Sequence, residues 1–141
     1  MQRRQGWEQI LDAEIRAAAG RHFEWGAFDC CLWVCDVVEA MTGVDMAADL
    51  REGYKDRNGA VRLIRKAGCR SLSQLCANVA RWWALEEILP LRAGRGDVVL
   101  VKENGRHSLA IVGTDGRYAL ATAAVGLGRM PQESWVRAWR V

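Results

Sequence analysis

Near Pro90 the spacing of apolar residues changes from a helical period to the short continuous runs of buried strands. Upstream of it, Trp7, Ile10, Leu11, Ile15 and Ala18 recur at helical intervals, and Gly20 supplies a stop. A second helix is predicted from Cys30, presenting Val34, Val37, Val38 and Met41 before Gly43 ends it. Val44 to Asn58, with Gly53 and Tyr54, reads as a polar connection, and Ala60 to Ala67 as a short helix closed by Gly68. Ser71 caps a further helix whose apolar face carries Leu72, Leu75, Cys76, Val79, Trp82 and Trp83. Downstream, Val98 to Val101 reads as a buried strand, and Asn104-Gly105 as a hairpin turn into a strand from Ser108 to Val112. Asp115-Gly116 turns the chain again into Tyr118 to Ala123, glycines 126 and 128 interrupt it, and Ser134 to Val141 forms a last strand. Helices first and strands afterwards predict an α+β fold, with N-terminal helices packed on a C-terminal antiparallel β-meander in one domain over residues 1–141.

Composition narrows the class of partner. The net charge is +3, and the basic residues are mostly arginines scattered along the chain, so no nucleic-acid surface is expected. No apolar run approaches the roughly 18 to 20 residues of a membrane span. Met1-Gln2-Arg3-Arg4-Gln5 has no apolar stretch behind it, so the chain is expected to be cytoplasmic when synthesised. Five cysteines, two of them adjacent at 30 and 31, do not form a disulfide framework, and Cys69 and Cys76 read as structural thiols.

Cys30 follows Asp29 at the start of the second helix, a placement with chemical consequences. Asp29 can cap the helix by accepting an early N–H, and Gly26 breaks whatever precedes it. At a helix N-terminus the free amides and the dipole favour thiolate over thiol, which makes Cys30 a candidate nucleophile. A nucleophilic thiol needs a base, and only His22 and His107 are available. His107 follows the Asn104-Gly105 turn, where a sheet packed on the cysteine helix would bring it to the thiol. Cys31 and Cys35, at i and i+4, could bind zinc with His107 or His22, but no second paired ligand motif accompanies them. Neither a metal nor any other cofactor is expected.

The segment Phe23-Glu24-Trp25-Gly26-Ala27-Phe28-Asp29-Cys30-Cys31-Leu32-Trp33-Val34 resembles the nucleophile motif of the NlpC-type cell-wall cysteine peptidases, a papain-like family. Gly96-Asp97-Val98-Val99 and His107-Ser108-Leu109-Ala110-Ile111-Val112-Gly113 resemble that family's second and third motifs, in the same order. The likeness covers roughly residues 20 to 125 and is nearest to a compact variant from phage and prophage tail-gene clusters. It implies a papain-like fold in which Cys30 attacks an amide carbonyl and His107 carries the proton. The implied substrate is the peptidoglycan stem peptide, and the implied setting a virion tail among other phage tail proteins. Trp25 is implied as a groove-lining residue, with Asp29 and Phe23 beside the site. The chain departs from the family at three places. Phe23 stands for a tyrosine, Cys31-Leu32 for Ser-Gly, and Leu120 aligns with the polar residue that orients the histidine. The alternative is a catalytically degenerate NlpC-like fold acting as a structural tail-tip component or tail assembly factor.

Overall fold

The computed structural model describes all residues 1–141. Four helices come first: α1 (Trp7–Ala18), α2 (Cys30–Thr42), α3 (Arg57–Lys66) and α4 (Leu72–Trp82). Six strands follow: β1 (Glu86–Ile88), β2 (Val98–Glu103), β3 (Arg106–Val112), β4 (Tyr118–Thr122), β5 (Leu127–Pro131) and β6 (Trp135–Arg140). They form one antiparallel sheet in the order β1-β6-β2-β3-β4-β5. The α+β class is therefore as expected. β2 to β5 run as a meander, while β6 returns across the sheet to lie between β1 and β2.

Strand alternation divides the sheet into two faces. Val98, Leu100, Leu109 and Ile111 join Leu11, Trp33, Val34, Val37, Val38 and Met41 in the larger core, between helices and sheet. Val99, Val101, Ala110, Val112, Ala119 and Ala121 point the other way into a smaller core closed by Trp135. The Trp135 indole N–H is satisfied there by the Met130 carbonyl at 3.0 Å. α2 is apolar around most of its circumference because it packs on α1 and on the sheet together.

Several elements differ from the sequence reading. α3 starts at Arg57 because Asp56 caps it, accepting from the Gly59 N–H at 2.6 Å. The connection after α2 is only partly solvated, since Met46 and Ala47 are buried in the core. β1 and β5 are short edge strands that the pattern did not announce, and β5 forms through Gly128 where an interruption was expected. Trp82 does not share the buried face of α4; it is 83 % exposed. Cys76, Ala80 and Trp83 carry the stripe into the core at the end of that helix, leaving Trp82 outside.

Candidate active site

The start of α2 is fixed by one buried carboxylate. Asp29 is 1 % exposed, and its Oδ1 accepts from the N–H groups of Cys31 at 3.1 Å and Leu32 at 3.0 Å. Its Oδ2 accepts from the Gly26 N–H at 2.9 Å and from the Tyr54 hydroxyl at 2.5 Å. Four donors on one carboxylate leave Asp29 as a strut beneath the helix, so it lines no opening. Gly26 is required here twice over. Its φ is +80°, and a Cβ at that position would collide with the Tyr54 carbonyl oxygen.

This strut presents Cys30, a half-buried residue, as the first residue of α2. The Cys31 sulfur lies 3.9 Å away. Hydrogen bonding from Cys31 holds the Cys30 pKa below its ordinary value against the opposing effect of burial. The backbone of Leu109 and that of Cys30 itself act in the same direction. The hydrogen bond with Cys30, and burial, push Cys31 well above the normal range. Burial raises Cys35 to about 12 and Cys76 likewise upward, so these thiols stay protonated. With the Cys31 and Leu32 amides taken by the Asp29 side chain and that of Trp33 by the Asp29 carbonyl, the Cys30 N–H is the first-turn donor with no oxygen acceptor.

α2, which begins at Cys30, packs against β3. His107 is two residues from Leu109 on the same strand, so it shares the helix-facing side of the sheet with Leu109 and Ile111. About 6.6 Å of strand separates the two Cα atoms. The imidazole is partly exposed at the end of this face, where solvent reaches it. His22, the other histidine, is exposed and sits in a bridge opposite Val125.

The Phe23–Phe28 segment leads directly into Asp29 and α2. Phe23 N–H donates to the Ala124 carbonyl at 3.0 Å, tying the segment to the end of β4. Phe23 and Trp25 meet edge to face, with centroids 5.0 Å apart, and Trp25 remains exposed. Leu120 stands elsewhere. It pairs with Ile111, four residues along β3 from His107, and lines a cleft with Ile15, Ala19 and Arg129. No group of three or more His, Cys, Asp or Glu side chains is arranged to hold a metal ion, and the sulfurs of Cys31 and Cys35 instead border an apolar cavity of about 50 Å³.

Comparison with known families matches residues 2–141 to a domain of unknown function, DUF6950. The chain belongs to the DUF6950 family. No curated protein matches it. No helix of this DUF6950 chain is long and apolar enough to cross a membrane.

Tyr54 is the site residue that the sequence pattern does not disclose. It lies in an irregular connection, where no periodicity marks which residues turn inward. Its hydroxyl nevertheless reaches the foot of the cysteine helix, where it donates to Asp29. The position of Lys102, by contrast, was calculable. A two-residue turn at Asn104-Gly105 pairs Glu103 with Arg106 and therefore Lys102 with His107.

Proposed function

We propose that the chain is a papain-like cysteine peptidase of the NlpC type that cleaves an amide bond in the peptidoglycan stem peptide. In this reading it is made in the cytoplasm and carried in a virion as part of a phage tail, in contact with other tail proteins. The observation that carries the enzymatic part is the placement of the Cys30 thiol. It stands at the start of a helix that packs on β3, the strand that bears His107 on its helix-facing side. Cys30 attacks the carbonyl carbon and His107 passes a proton to the leaving amine, giving a thioester that water then hydrolyses. The Cys30 N–H donates to the oxyanion of the tetrahedral intermediate. Phe23 and Trp25 line the groove. The tail setting is supported by the sequence resemblance alone.

Purified peptidoglycan tests this directly. The wild-type chain releases free amines from it, Cys30→Ser abolishes the release, and Cys69→Ser retains it. Release that survives Cys30→Ser places the chemistry elsewhere.

A structural role in a tail tip or in tail assembly is the second reading. The exposed Trp82, Leu91 and Leu89, at 83 %, 73 % and 66 %, favour it as protein-contact residues. Under that reading tails assemble with Cys30→Ser and fail to assemble without the protein.

A further inference from the structure

Lys102 stands directly opposite His107 in the β2–β3 ladder. Residues paired this way project from the same face of a sheet, with Cβ atoms about 4.5–5.5 Å apart. The face is the one that carries Leu100 and Leu109 into the helix-side core, where α2, beginning at Cys30, packs on β3. Where that core ends, the next pair outward on the same face is Lys102 and His107. Lys102 is exposed and takes part in none of the chain's salt bridges.

Neither Asp29 nor Glu103 neutralises it. Asp29 is buried and saturated by four donors. Glu103 pairs with Arg106 one step further on, and alternation turns that pair to the opposite face. The start of α2 adds the positive end of a helix dipole. An ammonium without an ion-pair partner thus stands beside His107, on the face of the sheet against which α2 packs.

We propose that Lys102 is a substrate-recognition residue that selects molecules bearing a carboxylate within a few bonds of the carbon attacked by Cys30. This rests on the reading of Cys30 as a nucleophile and adds the charge of what it accepts. A substrate carboxylate seated against Lys102 orients the attacked carbonyl toward the thiol. A neutral substrate of the same shape lacks that anchor.

Two alkylating agents of nearly equal shape test the idea on the full chain. Iodoacetate carries a carboxylate beside the reacting carbon, and iodoacetamide carries a neutral amide there. In both cases the Cys30 thiolate displaces iodide to form a carbon–sulfur bond. Alkylation of Cys30 is followed by peptide mass mapping at low salt, with rates expressed relative to free glutathione. The iodoacetate-to-iodoacetamide rate ratio should exceed that of glutathione by about threefold, the effect of one unit charge several ångströms away in a water-like dielectric. Lys102→Gln should bring the ratio down to that of glutathione while changing the iodoacetamide rate less than about twofold, and Lys102→Arg should keep it, since only the charge is needed. A ratio unaffected by Lys102→Gln, with brisk iodoacetamide labelling, overturns the role of Lys102 and leaves the nucleophile standing. Iodoacetamide labelling no faster than glutathione overturns the nucleophile, and the recognition role with it.

Discussion

The Tyr54 hydroxyl donates a hydrogen bond to Asp29 Oδ2, joining the irregular segment after α2 to the residue that caps that helix. Through it, a loop 25 residues away in sequence fixes the platform on which Cys30 stands.

Removing this hydroxyl should loosen the platform without emptying the core. Tyr54→Phe is expected to lower stability by about 1.5–3 kcal/mol, the range for a hydrogen bond to a charged group. Asp29→Ala should cost more, because it also strips the cap from the Cys31 and Leu32 amides. Urea denaturation at neutral pH measures both. Burial and the Asp29 carboxylate also raise the Tyr54 pKa above its ordinary value of about 10. The folded state therefore keeps a proton that the unfolded chain releases above that pH, so stability should fall as pH rises past about 10. That fall should be shallower in Tyr54→Phe, and equal slopes would refute the linkage.

Cys31 should govern the reactivity of its neighbour. Its thiol is the largest influence lowering the Cys30 pKa. The wild-type midpoint for Cys30 alkylation should lie below the usual thiol value of about 8.5, and Cys31→Ala should move it upward. Rates of iodoacetamide labelling across pH, resolved by peptide mapping, give both midpoints. A midpoint that does not move in Cys31→Ala would leave the helix terminus and nearby amides as the controlling influence.

Asp97 should matter for folding rather than for turnover. It is buried, and its Oδ1 accepts from Arg3 Nη2 at 2.6 Å and from the Val141 N–H at 3.2 Å, while Oδ2 accepts from the Gly94 N–H at 2.9 Å. One carboxylate thus clasps both ends of the chain to the start of β2. Asp97→Ala leaves the partly buried Arg3 cation without its partner, at an expected cost of about 3–5 kcal/mol. Substituting Arg3 by methionine in the same chain should recover part of that loss, because the uncompensated charge is then gone. Denaturation of the single and double variants decides it. If the double variant is no more stable than Asp97→Ala, the stranded-charge account fails.

The amino-acid order by itself determined the change from helices to strands, the start of α2 at Asp29-Cys30, and the Asn104-Gly105 hairpin. These depend on contacts within a few residues: a cap, an apolar stripe and a turn needing positive φ, which Asn104 and Gly105 supply. Folding in three dimensions decided the rest. The interleaving of β6 between β1 and β2, the exposure of Trp82, the inward turn of Tyr54 and the clasp at Asp97 all join residues far apart in the chain. Such pairings arise from which surfaces close on one another. A local period records only that a residue is apolar or polar, and leaves open what it will meet.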